Sequence, residues 1–372
     1  MQYIFVLGRD GELSKLEIES VLELKNIEFK ILDGNDSALV IETAKLDPKI
    51  INELGGVIKI AQVFSSTTRM DQVEQNLEKA ELYTGTKNKL EYYIDAMNTG
   101  LLSFVEDYLK DYFKTIRVKA MYKSNNEPTK LVNKNILKEG LNLVIFKGFI
   151  GKAIAITNPK EFKTRDLARP EVDHMKVISI RLAKILVNIA KVKKEGTLLD
   201  PFCGSGTILQ EALLKGINAV GVDKDQESVR QAEKNITWAI NEFRIKNQIK
   251  IIKGDSVNLS EKLKENSIDG VVTEPYMGPY IRKLPNMSEA RDLVIELSDL
   301  YANLLKSLKT VMKKEARLVI VIPKFRTREN RNVMIDFRTM AEEKGFNLIT
   351  KPIAYGYKEN KLLREIYVLE NQ

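Results

Sequence analysis

A short glycine-rich segment between an apolar run and a helical pattern constrains the fold of this chain more than any other feature. Residues 197–199 are Thr-Leu-Leu, and residues 208–214 have the apolar spacing of a helix. The segment between them reads Asp200, Pro201, Phe202, Cys203, Gly204, Ser205, Gly206 and Thr207. A buried strand that ends in a carboxylate and turns through two glycines into a helix leaves a notch where a ligand can reach the backbone. We therefore expect a ligand site at the carboxyl end of this strand.

The following strand ends indicate the class of ligand. The glycine spacing of dinucleotide sites and the Gly-Lys-Ser/Thr of phosphate loops are both absent from the segment. Two later apolar runs also end in acids, at Asp223 and at Asp255, with Lys224 and Ser256 directly after them. One aspartate at a strand end is commonly a helix cap or turn former, whereas three at successive strand ends favour a binding site. The second acid is placed to accept both hydroxyls of a ribose, and the third to accept an adenine amino group.

These three strand ends resemble the cofactor site of the class I S-adenosylmethionine-dependent methyltransferases. The resemblance implies that the loop from Asp200 to Thr207 approaches the methionine part of S-adenosylmethionine. It also implies that Asp223, with Lys224, holds the ribose and that Asp255, with Ser256, contacts the base.

Strand and helix patterns alternate through the rest of the chain, as a doubly wound α/β sheet requires. Further strands are predicted at residues 268–273, 316–323, 347–350 and 365–370, with helices at 288–313 and 330–344. Together with the three strands above, this makes seven. The resemblance implies a Rossmann-like, mostly parallel sheet that ends in an antiparallel pair.

Length and composition favour more than one domain in a cytoplasmic protein. A chain of 372 residues exceeds what one hydrophobic core usually serves. No run approaches the roughly 18 apolar residues of a membrane helix, and the first residues lack a basic signal-peptide region, so no membrane partner is expected. Cys203 is the single cysteine, which excludes an intrachain disulfide and a multi-cysteine metal site, and no metal is expected. The single histidine, His174, is expected to be an exposed or capping residue rather than a general base.

The N-terminal part of the chain carries one strongly basic region. Residues 110–160 contain 11 Lys or Arg against 3 Asp or Glu, whereas residues 1–109 contain 11 against 19. Clustered cations are the footprint of phosphate-backbone binding, because neutralised phosphates release condensed counterions. The alternative is an ordinary solvated face.

The patterns before residue 160 predict two small α+β domains. A strand at residues 3–7, a helix at 11–24, and strands at 28–32 and 38–42 indicate a first domain over residues 1–62. A second domain, residues 63–160, is predicted to contain helices at 100–112 and 130–139 and strands at 115–121, 142–146 and 148–156. Residues 161–175 are then a linker, and residues 176–372 are the methyltransferase domain.

The second domain, together with the Arg-Asp and Arg-Pro pairs of the linker, resembles a THUMP domain joined to a methyltransferase. This resemblance implies binding of structured tRNA. The RNA-binding candidates are Lys119, Lys123, Lys130, Lys134, Lys138, Arg165 and Arg169. The whole architecture resembles the archaeal and eukaryotic tRNA guanine N2-methyltransferases that act at position 10.

In that family, an Asp/Asn-Pro-Pro-aromatic motif after the fourth strand accepts the hydrogens of the target amine and stacks on the base. The matching residues here are Thr273, Glu274, Pro275 and Tyr276, and they depart from the motif. One register keeps Pro275 and the Tyr276 ring and puts Thr273 at the acid position. The other puts Glu274 at the acid position but moves Tyr276 to a proline position. We prefer the first register, with Glu274 near enough to contribute its carboxylate; the alternative is that Glu274 only ends a strand and pairs with a Lys or Arg.

The resemblance implies methylation of a guanine exocyclic amino group in tRNA. Ribosomal RNA as substrate, and a non-catalytic RNA-binding assembly factor, remain alternatives. Some eukaryotic relatives need a small activating protein, so such a partner is possible here as well.

Overall fold

The computed structural model describes residues 1–124, 126–171, 178–356 and 362–372. The chain forms two compact units, residues 1–165 and residues 166–372. His174 and residues 172–175 of the expected linker lie outside the described residues.

The first unit is a mixed α+β structure. Its strands are β1 (Gln2–Leu7), β2 (Phe29–Gly34), β3 (Ala38–Thr43), β4 (Val57–Ser66), β5 (Lys89–Met97), β6 (Lys119–Tyr122), β7 (Leu141–Phe146) and β8 (Phe149–Ile156). Its helices are α1 (Gly11–Leu24), α2 (Met70–Lys79), α3 (Leu102–Thr115), α4 (Pro128–Asn133) and α5 (Ile136–Glu139), and α6 (Pro159–Ala168) runs into the second unit. A short 3-10 helix covers Pro48–Glu53.

All strands of the first unit lie in one sheet, in the order β2-β3-β1-β4-β8-β7-β5-β6. The strand β4 pairs with β1 on one side and with β8 on the other, both antiparallel. The boundary expected between residues 62 and 63 therefore falls inside β4, and the two expected domains share one sheet. The segment expected as one helix at 130–139 is two short helices, α4 and α5.

The second unit alternates strands and helices as the sequence predicts. Its strands are β9 (Thr197–Asp200), β10 (Asn218–Asp223), β11 (Ile249–Lys253), β12 (Ile268–Thr273), β13 (Met312–Arg326), β14 (Asn332–Met334), β15 (Phe346–Leu348), β16 (Ile353–Tyr355) and β17 (Leu362–Asn371). Its helices are α7 (Ile180–Ile189), α8 (Thr207–Leu214), α9 (Gln226–Phe243), α10 (Met287–Val311) and α11 (Phe337–Glu343), with a 3-10 helix at Ser256–Glu261.

The sheet of the second unit runs in the order β11-β10-β9-β12-β13-β17-β15. Pairs from β11 to β13 are parallel, whereas β17 is antiparallel to both β13 and β15. This confirms the predicted α/β class and the seven main strands with an antiparallel pair at one edge. Two short strands, β14 and β16, pair with β13 and β17 in addition. The helix expected at 330–344 is shorter, because β14 occupies its first part.

The main strands of this sheet are near-continuous apolar runs, as is typical of strands that are buried on both faces. Leu199, Val271 and Ile320 are fully buried and belong to the same hydrophobic core as the buried apolar residues of α10. The helix α10 begins at a capping box, in which Asn286 and Glu289 satisfy each other's backbone N–H groups. Parallel pairing brings the carboxyl ends of β9, β10, β11 and β12 to one edge of the sheet, where the candidate site lies. In the parts of the chain that are described, no helix is long and apolar enough to cross a membrane.

Candidate methyltransferase site

Asp200 is the buried centre of the site. It ends β9 and is 1% exposed. Its Oδ1 accepts hydrogen bonds from the backbone N–H of Phe202 at 3.1 Å and from the hydroxyl of Thr273 at 2.8 Å. Burial raises the pKa of Asp200 to about 7, because desolvation of the carboxylate outweighs these two hydrogen bonds, and the charges of Asp223 and Glu274 add to the rise. The carboxyl group therefore titrates near neutrality.

The glycine-rich loop after Asp200 folds against β10. The N–H of Cys203 donates to the carbonyl of Val222 at 3.0 Å, and the N–H of Gly204 donates to Oδ2 of Asp223 at 2.9 Å. Gly204 and Gly206 have φ values of +49° and +85°, a region that disfavours side chains, and α8 begins directly after Gly206. The loop is thus shaped by backbone contacts to the strand that carries Asp223.

Space for a ligand remains at the tip of this loop. A Cβ added to Gly204 would meet no atom within 4 Å, whereas one added to Gly221 of β10 would lie 2.5 Å from Leu209. Gly221 therefore allows the loop and α8 to pack closely on β10, and Gly204 faces open space. Cys203 is buried and desolvation raises the pKa of its thiol, which fits a packing role and not a nucleophile.

The acids of the neighbouring strands line the same edge. Asp223 ends β10 and is half-buried, and its Oδ1 also accepts the N–H of Asp225 at 2.9 Å. Asp255 follows β11, is exposed, and accepts the N–H of Val257 at 3.2 Å. Lys224 is exposed and Ser256 is buried. Gly204 has open space at its Cβ position, and Asp200, Asp223 and Asp255 stand at the carboxyl ends of three adjacent strands. Acceptors in this arrangement fit the hydroxyl and amino groups of a nucleoside joined to an amino acid, so these residues could hold S-adenosylmethionine.

Two buried side chains that support this loop were not foreseen in these roles. Asn235 of α9 is 1% exposed; its Nδ2 donates to the carbonyls of Ser205 and Glu171, each at 2.9 Å, and its Oδ1 accepts the N–H of Glu171 at 2.9 Å. The asparagine carries no motif around it in the sequence, so only the packing of α9 on the loop shows its role.

Arg169 is the second supporting side chain, and its placement corrects an expectation. It was predicted to bind RNA, but the guanidinium is buried: Nη1 donates to the hydroxyl of Thr207 and Nη2 to Asp166, both at 2.6 Å. Because its guanidinium is buried against the first residue of α8, Arg169 is not accessible to RNA. Its role here is to hold the start of the helix that follows the loop.

The segment after β12 places its predicted residues differently from the preferred register. Thr273 is fully buried and its hydroxyl donates to Asp200, so it presents no acceptor to a substrate. Glu274 is half-buried, and its Oε1 accepts a hydrogen bond of 2.9 Å from Nε of Arg364. The buried, donating hydroxyl of Thr273 does not suit the acid position that was preferred for it, and Glu274 as the acceptor stays a prediction. The expected pairing of Glu274 with a cation is also found, at Arg364.

The aromatic residue of the segment lies at the surface, and its role in stacking on a base stays a prediction. Tyr276 is 43% exposed, and Pro275 before it is buried. The carbonyl of Tyr276 accepts a hydrogen bond of 2.8 Å from the hydroxyl of Tyr301, a buried residue of α10 whose pKa is raised by desolvation. This contact holds the backbone of the segment against α10 and leaves the Tyr276 ring at the surface.

An open cavity of about 490 Å³ lies next to this segment in sequence. Its lining carries both charge signs, with Arg282, Lys283 and Arg328 on the basic side and Glu289, Asp292 and Glu296 as acids. Tyr280 also lines this cavity. It is 74% exposed, more than any other large hydrophobic residue described.

The RNA-binding candidates of the first unit lie on β6, on α4 and α5, and close to these elements in the chain. Lys119 begins the edge strand β6 and is exposed, as are Lys130 of α4 and Lys138 of α5. Lys123 is half-buried, and Lys134 pairs with Glu91. The Arg165 guanidinium lies over the ring of Phe162 in α6. Four of the five predicted lysines, Lys119, Lys130, Lys134 and Lys138, are therefore exposed, although Lys134 is engaged by Glu91.

Fold and site together define a Rossmann-like methyltransferase, and comparisons with known proteins agree. A family model described as an RMKL-like methyltransferase domain matches residues 169–349, and a model of the N6/N4 methyltransferases described as DNA methylase matches residues 45–234. The second match spans just over half of the chain, and the chain belongs to this family of methylases. DNA is the substrate in that family's description; the substrate of this chain is a separate question.

Relatives of known activity match over most or all of the chain. A tRNA (guanine(10)-N2)-dimethyltransferase of Pyrococcus abyssi is 24% identical over 100% of this chain and 99% of its own. The enzyme of the same name from Methanothermobacter thermautotrophicus is also 24% identical, over 75% of this chain and 78% of its own.

Two solved structures share the fold over the full chain. TrmN from Thermus thermophilus has a TM-score of 0.55 at 16% identity, and covers 100% of both chains. A possible methylase from Clostridium difficile has a TM-score of 0.54 at 15% identity, over 100% of this chain and 99% of its own.

Proposed function

We propose that this enzyme transfers a methyl group from S-adenosylmethionine to the exocyclic amino group N2 of a guanine in tRNA. The observation that carries the proposal is that a half-buried carboxylate, Glu274, and an exposed aromatic residue, Tyr276, both directly follow β12, the strand beside the one that ends at Asp200. The two relatives named above, which match over 100% and 75% of the chain, support guanine N2 in tRNA as the target.

The amine of guanine needs acceptors more than it needs a strong base. Its lone pair is delocalised into the ring, so the enzyme must hold the amine hydrogens in a position that leaves the nitrogen lone pair free to react. The Glu274 carboxylate would accept one hydrogen of the amine. A backbone carbonyl of the same segment would accept the other. Tyr276 offers a ring on which the base can stack. Orientation of this kind contributes roughly 7 to 11 kcal/mol to a two-substrate transfer.

The loop residues would hold the methyl donor. Asp223 would accept the ribose hydroxyls, Asp255 and Ser256 would meet the adenine, and the methionine part would lie at Gly204, where no side chain fills the space. Bound there, S-adenosylmethionine supplies an electrophilic methyl group. The ionised form of Asp200, which is populated above about pH 7, adds negative charge near a cationic donor.

The first unit would supply the RNA contacts. The exposed Lys119, Lys130 and Lys138 suit phosphates, and the THUMP-like character of residues 63–160 remains a prediction. A cytoplasmic location and a small activating protein partner likewise stay predictions from the sequence.

The test uses purified protein, tritiated S-adenosylmethionine and an unmodified tRNA transcript. We expect label in the tRNA, and N2-methylguanosine as the labelled nucleoside after digestion. Glu274→Gln should lose at least roughly 100-fold in turnover while cofactor affinity stays within about twofold. The matched control is Glu365→Gln, another half-buried glutamate that pairs with a cation, Lys324, in the same sheet. Label in ribosomal RNA only, or label in no RNA, would contradict the proposed substrate.

A further inference from the structure

Arg364 contacts Glu274 from a strand that is far away in the sequence. Nε of Arg364 donates to Oε1 of Glu274 at 2.9 Å, and the two side chains are 33% and 17% exposed. Arg364 lies in β17 opposite Pro323 of β13, and Glu274 follows β12 on the other side of β13. The contact therefore reaches across one strand of the sheet.

The contact leaves half of the carboxylate for a substrate. A carboxylate has two oxygens and can accept several hydrogen bonds. Among the residues that the structure describes, Oε1 accepts from Arg364 and no protein donor is recorded at Oε2. A half-buried glutamate without this contact would populate several rotamers, and this freedom would be lost when the amine binds. A fixed rotamer removes that cost before the substrate arrives.

We propose that Arg364 is a positioning residue, which holds Glu274 so that its second oxygen accepts a hydrogen of the target amine. The inference rests on the proposed function, because it assigns Arg364 to the same reaction. The length of Glu274 agrees with it: the family motif has Asp or Asn, and the additional methylene of a glutamate lets the carboxylate reach a cation across β13.

A purely structural ion pair is the competing explanation, and the sheet contains one for comparison. Lys324 of β13 and Glu365 of β17 pair at 3.0 Å, with exposures of 24% and 15%. This pair joins β13 to β17 next to Arg364, and among the described residues neither member has a hydrogen bond or ion pair to the segment 273–276. A partly solvated ion pair typically contributes little to stability, because solvent screens its charges. Stabilisation of the sheet alone would thus give Arg364 and Lys324 similar, small effects.

The experiment is a double-mutant cycle on the full-length protein, with methyl transfer to tRNA, cofactor affinity and thermal unfolding as readouts. Arg364→Ala should lower kcat roughly 10- to 100-fold, with the KM for tRNA and the Kd for S-adenosylmethionine each within about twofold. Arg364→Lys, which keeps the charge, should recover at least part of that loss. In a Glu274→Gln background, Arg364→Ala should have less than about a twofold further effect, because the group that it positions is gone.

Lys324→Ala is the matched control and should leave kcat within about twofold. Additive effects of Arg364→Ala and Glu274→Gln, or equal losses for Arg364→Ala and Lys324→Ala, would overturn the positioning role and leave the proposed function standing. If the expected non-additive effects of Arg364→Ala and Glu274→Gln are found with a substrate other than tRNA, the positioning role stands and the proposed substrate is overturned. Absence of methyl transfer by the wild-type protein to any RNA would overturn both.

Discussion

The hydroxyl of Thr273 donates a 2.8 Å hydrogen bond to Oδ1 of Asp200, which ties the end of β12 to the end of β9. The same oxygen accepts the N–H of Phe202 in the glycine-rich loop. One buried carboxyl oxygen therefore joins the candidate cofactor loop to the strand that carries Glu274. A change in the protonation of Asp200 therefore affects the hydrogen bonds to both the loop and the end of β12.

The buried charge of Asp200 should cost stability above neutral pH. Its pKa is about 7 in the folded protein and 3.8 in a model peptide, so the folded state holds its proton more tightly. Stability must then fall as pH rises from about 4 to about 7, and the loss, at most about 4 kcal/mol, is complete above that range. Asp200→Asn keeps Oδ1 for both donors and removes the charge. We expect this variant to be more stable than the wild type at pH 8 and to lose that advantage as the pH falls toward 4.

Urea unfolding at a series of pH values measures this difference. The exposed Asp292→Asn serves as the control, because it alters one surface charge without altering a buried one. The same variant should bind S-adenosylmethionine more weakly at pH 8, since it cannot supply negative charge. A difference in stability between Asp200→Asn and wild type that is constant with pH would contradict the assigned pKa.

Thr273→Val tests which residue of the segment accepts the amine. The substitution removes the donor to Asp200 but leaves the Glu274 side chain in place. We expect a loss of about 1 to 2 kcal/mol in stability and a fall in kcat of less than roughly tenfold. Thr273→Ser restores the hydroxyl and should behave as the wild type. A loss of turnover by Thr273→Val as large as that of Glu274→Gln, with cofactor affinity unchanged, would return Thr273 to the acceptor position.

Arg169→Ala should act on the cofactor loop and not on RNA. The substitution removes the donor to Thr207 and leaves Asp166 without its buried partner, so we expect a loss of about 1 to 3 kcal/mol in stability. The Kd for S-adenosylmethionine should rise. The salt dependence of tRNA binding should not change, because a buried guanidinium releases no counterions. Calorimetry for the cofactor and filter binding for tRNA separate the two; a lower salt slope would restore the RNA-binding role.

Lys130→Ala and Lys138→Ala should have the opposite profile. Both lysines are exposed on short helices of the first unit, and each phosphate contact that is lost should reduce the slope of log K against log salt by roughly 1. Cofactor affinity should stay unchanged. Lys79→Ala, at the end of α2, is a charge-matched control outside the basic segment. Equal effects of all three variants would indicate a diffuse charge effect and no defined RNA surface.

The sequence was sufficient for those parts of the site that are local in the chain. The loop from Asp200 to Thr207 and the acid Asp223 follow apolar runs directly, so strand, turn and ligand edge can be inferred together. Parallel pairing then brings the strand ends together without further information. The seven main strands of the second unit were predictable for the same reason.

Contacts between distant segments were not predictable. Arg364 and Asn235 each meet the site across many residues of chain, and neither lies in a motif. The match of Thr273 and Glu274 to the family motif depends on which of the two side chains is buried at the end of β12. The sequence fits two registers and therefore cannot show which one applies. The continuity of β4 across the boundary expected at residue 62 likewise depends on pairing with β8, which comes much later in the chain.

Asn235 should be as important for cofactor binding as the loop residues that it holds. Its amide donates to two carbonyls and accepts one N–H, and all three partners are backbone groups of Ser205 and Glu171. Asn235→Asp keeps the shape but replaces the donor by an oxygen, which then faces two carbonyl oxygens in a buried site. We expect a loss of roughly 2 kcal/mol or more in stability and a clear rise in the Kd for S-adenosylmethionine. Asn247→Asp makes the same change where Nδ2 donates to the carbonyl of Gly216 at 2.8 Å, just before β11 and away from the loop. That control should lose some stability while its cofactor Kd stays within about twofold, because the carboxyl ends of the strands are untouched. Equal rises in Kd for both variants would mean that general destabilisation, and not the loop contact of Asn235, governs cofactor affinity.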